Sequence, residues 1–279
     1  MNFKKLYLDT SEEINHTIAR KYSTSFSIAI KLIDKSIRND IYNIYGFVRV
    51  PDELVDTLRP IDCKEQLEGY VEQTYSSMKT GVSSNPVIHA FVTTAKKYSI
   101  PKAIIQPFFD SMLSDINKKN YTDKEYKKYI YGSAEVVGLM CLMVFVNGDK
   151  KLFNKLEPSA SALGSAFQKV NFLRDFQSDN INLGRVYFPD IDINKLTPEC
   201  KQAIQKDIGI DLETAKKMIQ QLPISSRYGV KLAYYYYHAL YKKIVRLPSV
   251  DLLSKRIRVN DSYKMLLFII LSIQKLLRI

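Results

Sequence analysis

The chain has 279 residues, 46% hydrophobic and 25% charged, which is enough apolar material for a sizeable buried core. With 10 Gly, 10 Pro and no linker-like stretch, one domain over residues 1–279 is expected. The net charge of +12 admits an anionic substrate, an anionic membrane surface or nucleic acid, whereas three dispersed cysteines and three dispersed histidines leave almost no material for a zinc site or a histidine-based triad.

Along the chain, Met1 to Asp9 carries no apolar signal core, and Cys63, Cys141 and Cys200 read as free thiols. Together these predict a cytoplasmic protein. Apolar residues at Ile37, Ile41, Ile44, Tyr45 and Val48 repeat with helical spacing, as do Leu232, Tyr235, Tyr236, Ala239, Leu240 and Ile244. Asn85-Pro86 and Thr197-Pro198 read as a cap followed by proline in the first helical turn, and Thr122 with Glu125 as a capping box. Alternating strand patterns are scarce, so an all-α protein of about ten helices is predicted. Asn180 to Pro198 is the clearest long loop, placed where a flap over a site would be useful. The apolar run Met265–Ile273 is shorter than the roughly 20 residues that span a bilayer. It reads either as a terminal helix docked on the core or as a helix lying on a membrane surface. Lysine pairs such as Lys96-Lys97 and Lys216-Lys217 are scattered as on an ordinary solvated surface, and no nucleic-acid recognition motif accompanies them.

Two acidic stretches carry the chemistry. Tyr45, Arg49, Asp52 and Asp56 step by four, three and four and share one helix face; Gln168, Asn171, Asp175 and Asp179 step by three, four and four and share another. Carboxylates stacked this way repel, so something positive is expected between them. Burying such faces without a cation would cost several kcal/mol per ion. Hard divalent cations bound by one or two carboxylates commonly hold substrate phosphates as well. Arg49, Arg174 and Arg185 could add fixed donors. The chemistry expected is metal-assisted loss of diphosphate. Pro51 interrupts the first face at a cost of about 3 kcal/mol inside a helix, so either the helix tolerates a kink or a new helix begins there.

Four segments in order resemble the squalene/phytoene synthases: Tyr22-Ser-Thr-Ser-Phe26, Arg49 to Asp56, Tyr129-Ile-Tyr-Gly-Ser-Ala-Glu-Val-Val-Gly138, and Gln168 to Asp179 followed by Gly184-Arg-Val-Tyr-Phe-Pro189. The resemblance covers nearly the whole chain. It implies an all-α isoprenoid synthase fold around a central cavity, joining two identical allylic prenyl diphosphates head to head through a cyclopropylcarbinyl diphosphate. By position it implies that Asp52, Asp56, Asp175 and Asp179 hold Mg²⁺, for which Mn²⁺ can substitute. Gln168, Asn171, Arg49 and Arg174 would support metals and diphosphates, Ser23, Ser25 and Tyr187 would contact diphosphate, and Tyr129 or Tyr131 would face the reacting carbons. Glu53 stands where many members have Asp, and Glu135 replaces a glycine and adds an acid near the cavity.

If Phe26 lines the cavity on a helix, Ile30 lies one turn further along the same face, where isoleucine leaves more room than an aromatic ring. This favours geranylgeranyl diphosphate as substrate and phytoene as product, with NADPH not expected. A C30 synthase using farnesyl diphosphate is the alternative, then a class I terpene cyclase. A basic nucleic-acid-binding helical protein is the non-enzyme alternative. The greasy substrate is compatible with peripheral contact at the inner face of the membrane.

Overall fold

The computed structural model describes residues 2–59, 61–118, 120–178, 187–189, 197–252 and 256–277. Among them lie thirteen α-helices and no β-strand: α1 Phe3–Tyr22, α2 Thr24–Lys31, α3 Lys35–Glu53, α4 Cys63–Thr80, α5 Pro86–Lys97, α6 Lys102–Asp115, α7 Asp123–Ile130, α8 Val136–Phe145, α9 Lys150–Ser178, α10 Pro198–Ile219, α11 Ile224–Arg246, α12 Ser249–Leu252 and α13 Asp261–Leu277. The count exceeds the predicted one because helices as short as α2 and α12 complete too few turns to show a period. The caps behave as their residue types dictate. Asn85 accepts from the Val87 and Ile88 amides, Thr197 from that of Cys200, and Thr122 and Glu125 form the reciprocal box.

Pro51 does not start a new helix. α3 runs through it to Glu53, and the Phe47 carbonyl that the proline nitrogen cannot serve accepts instead from the Tyr70 hydroxyl at 3.2 Å; a π-turn over Leu54–Leu58 follows and ends at Arg59, where φ is 40°. Asp52 thus closes a regular helix and Asp56 sits in the widened turn. A second π-turn, Tyr131–Glu135, joins α7 to α8. This continuous run, Asp123–Phe145, is the one helix among the described residues long and apolar enough to cross a membrane by length and composition, and half of its apolar window is buried inside the protein. A partly buried core helix passes the same test.

Two core regions flank this run. In one, Phe47 of α3 stacks on Phe91 at 3.5 Å and meets the edge of Phe109 at 5.6 Å. In the other, Leu139 and Leu142 pack against Leu156, Val170 and Leu173 of α9. The second π-turn is wedged between α6 and α9 and fits only because glycine lines both contacts. A Cβ on Gly132 would lie 2.3 Å from the Pro107 carbonyl oxygen, and one on Gly164 would lie 2.5 Å from that of Ala134. α10 is tied to α9 by buried Lys169, which reaches Asp207 at 2.5 Å and Asp211 at 2.8 Å.

α13 is docked along one face and exposed along the other. α13 docks on α2 and α11 through Leu267, Phe268 and Leu271, with Lys231 Nζ on Gln274 at 2.9 Å and Lys275 Nζ on the Leu32 carbonyl at 2.8 Å. Its other face presents Met265, Leu266, Ile269, Ile270, Ile273 and Leu276 to solvent. Cys63, Cys141 and Cys200 form no disulfide with one another.

Gly164→Ala is expected to destabilise the protein by roughly 1–3 kcal/mol, because the intruding methyl meets backbone that cannot turn aside. The check is a urea midpoint lowered at constant slope; a parental midpoint would show that the contact yields freely.

Candidate active site

The first wall is the C-terminal half of α3. Arg49 lies over the Tyr22 ring at 4.6 Å, donates from Nη1 to Asp52 at 2.5 Å and pairs through Nη2 with Glu53. Arg49 thus sits between Asp52 and Glu53 rather than between Asp52 and Asp56. Asp52 is pushed up to about 7, first by the protein crowding it and then by the Asp56 carboxylate, with Arg49 opposing. Water screens part of that push, since 35% of the side chain meets solvent. Tyr45 stacks on Phe26 at 5.4 Å; burial raises its hydroxyl to about 12, and the Ser23 hydroxyl beside it pulls the other way. Ser23 also caps α2 by accepting from the Phe26 amide, and half-buried Ser25 lies in that first turn. Ile30, one turn beyond Phe26, is 1% exposed in the core beneath this wall.

The second wall is α9, with Gln168, Asn171 and Asp175 on one face. Arg174 holds Asp175 through Nε at 3.0 and 3.1 Å and through Nη2, and Arg256 Nε adds a contact at 2.8 Å. Asp179 and Arg185 lie outside the described residues, as does most of the expected flap.

Two links join the walls. On one side Tyr237 of α11 donates to Asn171 Oδ1 at 3.2 Å, stacks on Phe167 at 3.8 Å and is an electrostatic neighbour of Tyr45. On the other, Asp115 at the end of α6 acts electrostatically on Asp52 and accepts from the Tyr129 hydroxyl at 2.6 Å. Tyr129 lies 6.1 Å from Phe172 of α9, and Tyr187 stacks on Phe172 at 3.9 Å and on Tyr129 at 5.3 Å.

This arrangement sorts the expected residues. Tyr129 is buried in the aromatic group, whereas Tyr131, two residues on and so on the opposite side of the helix, is 40% exposed and outside it. Tyr187 is placed by its ring in that group. Glu135 does not point at the paired aspartates: its charge is set by Asp211, Lys169 and the Ser161 hydroxyl, on the α9–α10 side. Tyr22, Asp115, Tyr121, Tyr237 and Arg256 were absent from the predicted set. Asp115 had a legible signal, since it is the one charged residue on the otherwise apolar face Ile105, Phe108, Met112 and Asp115. Tyr237 was hidden in a run of four tyrosines, and Arg256 in a segment without periodicity.

Among the described residues, no three Asp, Glu, His or Cys side chains converge on a point that could hold an ion. The donor set nonetheless fits a hard cation: its ligands are all carboxylate oxygens, like charge raises Asp52, and buried Arg49 Nε has no acceptor. A divalent ion would relieve the first strain, and a diphosphate oxygen would serve the second.

Two acidic faces in an all-helical protein, each paired with arginine, fit the prenyltransferase class. The chain belongs to the squalene/phytoene synthase family, whose sequence model matches residues 19–262. It is 24% identical over 202 residues to a 4,4'-diapophytoene synthase of Staphylococcus haemolyticus, spanning 72% of this chain and 70% of that one. It is 32% identical over 195 residues to a phytoene synthase of Arthrospira platensis, spanning 64% of this chain and 61% of that one, under two thirds of its length. In structure it is similar to a dehydrosqualene synthase (TM-score 0.79, 20% identity, 95% of this chain and 96% of that one) and to a squalene synthase from Alicyclobacillus acidocaldarius (TM-score 0.75, 21% identity, 86% and 95%). At these identities the structural likeness establishes the fold, that of the all-α isoprenoid synthases. The family joins prenyl diphosphates head to head and depends in general on divalent metal.

Burial and the Asp211 carboxylate raise Glu135 to about 6, with Lys169 opposing. A raised folded value means that the native state holds this proton more tightly than the unfolded chain does. The associated stability is present at low pH and lost as pH rises through about 6. Glu135→Gln is expected to stabilise the protein by about 1 kcal/mol near pH 8, after allowance for solvent screening, and to be neutral near pH 4. Denaturant titrations at both pH values check this; equal effects at the two would contradict it.

Proposed function

We propose that the chain condenses two molecules of geranylgeranyl diphosphate to phytoene, with residues 1–279 acting as one unit. The observation that carries this reading is the pair of arginine-bearing acidic walls linked through Tyr237 and through Asp115–Tyr129. Support for the C20 substrate comes from the phytoene synthases among the relatives and from Ile30, which puts no aromatic ring beneath Phe26. The C30 reading, two farnesyl diphosphates to dehydrosqualene, is favoured by the diapophytoene synthase relative.

In the proposed mechanism, Asp52, Asp56, Asp175 and Asp179 would hold Mg²⁺, which supplies charge to neutralise departing diphosphate. Arg49, Arg174 and Arg256 bind and orient the diphosphates as fixed cations. Ser23 and Ser25 donate to diphosphate oxygens, and Gln168 and Asn171 orient the carboxylate wall. Phe26, Tyr45 and the Ile30 core beneath them exclude water around the isoprenoid chain. Tyr129 presents aromatic density to the allylic cation, an attraction worth roughly 2 kcal/mol when desolvated. No reductive step belongs to this reading, so NADPH should leave the product unchanged.

Incubation with geranylgeranyl or farnesyl diphosphate and Mg²⁺, with and without NADPH, followed by hydrocarbon analysis, is the test. Phytoene from the C20 substrate is expected; a C30 product alone overturns the choice of substrate. Asp52→Asn and Asp175→Asn are each expected to lower diphosphate release at least ~100-fold with the fold intact. Near-parental release from either would remove that residue from the site.

We further infer that the outward face of α13 rests on an anionic bilayer at the cytoplasmic side. Six large apolar residues there are left to solvent on a protein of net charge +12, and the proposed substrate is itself lipid-soluble. Burying a side chain of this kind is worth about 1.5–3 kcal/mol, so a partly immersed face suffices for reversible attachment. Sedimentation with phosphatidylglycerol-containing vesicles should carry down the parent but not Leu266→Ser/Ile270→Ser/Ile273→Ser. Parent protein left in the supernatant, or a dimer that the triple variant dissolves, would sink this assignment.

A further inference from the structure

Asp115 is 2% exposed, yet it carries a carboxylate whose two oxygens are both engaged by phenols. Oδ1 accepts from Tyr121 at 2.8 Å and Oδ2 from Tyr129 at 2.6 Å. The two rings lie 5.1 Å apart, and each packs against Tyr187, at 5.7 Å and 5.3 Å, which in turn stacks on Phe172 of the second wall. One carboxylate of α6 therefore fixes two hydroxyls, those of Tyr121 and Tyr129, in a group of four aromatic rings that reaches α9. Gly132 makes the arrangement attainable, because without a side chain it lets the π-turn after Tyr129 close onto α6 at the Pro107 carbonyl.

We propose that Asp115 is a positioning residue that acts on the reaction through Tyr129. The inference rests on the proposed reading, in which a carbocation forms between the two walls. Packing alone gives no reason for this carboxylate. An ion at such depth carries a desolvation penalty that a well-packed apolar residue on the Ile105–Phe108–Met112 face would not. Its hydrogen bonds do three things for a cation-forming site. They fix both phenols as donors, so neither ring rotates about its hydroxyl end. Burial and then the Asp115 charge hold the Tyr129 hydroxyl far above the usual phenol range, so the ring stays neutral. A phenol donating to a carboxylate is polarised, which enriches the ring that a cation would meet. Distance matters as well. A carboxylate in contact with an allylic cation would capture it as an ester; one phenol away, it contributes charge without reaching the carbon.

The test is a double-variant cycle on the full-length chain with Mg²⁺ and whichever prenyl diphosphate the parent turns over. Asp115→Asn keeps the shape but removes the charge, and Tyr129→Phe keeps the ring but removes the hydrogen bond. Each is expected to lower kcat roughly 10- to 100-fold, with KM within about threefold. The double variant should be no worse than the poorer single one, because both break the same link. Near-ultraviolet tyrosine absorbance of the unliganded protein should shift in Asp115→Asn, a readout that needs no turnover. Parental kcat in folded Asp115→Asn, or a double variant whose loss is the product of the two single losses, overturns the proposal. Should Asp115→Asn fail to fold, Tyr129→Phe reads the link from the other side: a tenfold or larger kcat loss supports it and a parental kcat overturns it. A parent without turnover on either substrate would instead fail the reaction proposed above, and is recognised before any variant is made.

Discussion

Repulsion between carboxylates on one helix face is the constraint around which this structure is arranged. Asp52 and Asp56 follow one another at the end of α3, with Glu53 between them, and the local chain cannot separate them. The structure answers with guanidinium groups: Arg49 takes Asp52 and Glu53 together, and Arg174 and Arg256 take Asp175 from two directions. These pairs are partly exposed, where solvent weakens an ion pair to a small fraction of its dry value. They are therefore strong enough to order the two walls and weak enough to be exchanged when a more highly charged partner arrives.

The links between the walls follow a different rule. Tyr237 to Asn171 and Asp115 to Tyr129 are hydrogen bonds through phenols, each backed by stacked rings. Rigid aromatic side chains lose little conformational entropy on being fixed, and their packing survives changes in the charge of the site. The site thus combines an exchangeable ionic surface with a fixed aromatic frame. Glycine at 132 and 164 is part of that frame, since both bring backbone within the distance a side chain would occupy.

The all-α architecture and the caps were legible because each depends on spacing within one helix; of the two acidic faces, Arg49 with Asp52 and Gln168 with Asn171 and Asp175 lie on regular helix, whereas Asp56 falls in the π-turn. Asn85, Thr122 and Thr197 sit at the helix starts their residue types predict. What the sequence withheld depends on contacts between distant segments. Whether Tyr129 or Tyr131 turns inward is decided by how the π-turn docks against α6 and α9, not by the motif in which both stand. Pro51 left two outcomes open locally, and a distant side chain bears on the one observed: the Tyr70 hydroxyl of α4 serves the Phe47 carbonyl that the proline leaves without its helical partner, and α3 continues. Glu135 was expected to add an acid near the cavity; in the structure its own burial, then Asp211 and Lys169 of α10 and α9, act on its charge.

Asp115 shows why a lone charge on an apolar helix face is informative even without a motif. A carboxylate at 2% exposure is tolerated only where donors converge on it, and here phenols do so, Tyr121 from the loop before α7 and Tyr129 from the start of the central motif. In sequence, that converts one unexpected Asp on the Ile105–Met112 face into a search for hydroxyl donors nearby, and Tyr121 and Tyr129 are within fourteen residues of it. The same step cannot be taken for Tyr237, whose partner Asn171 is 66 residues away and on another helix. Local spacing singles out charged residues along one helix, whereas an aromatic group of this kind becomes visible only where helices remote in sequence meet.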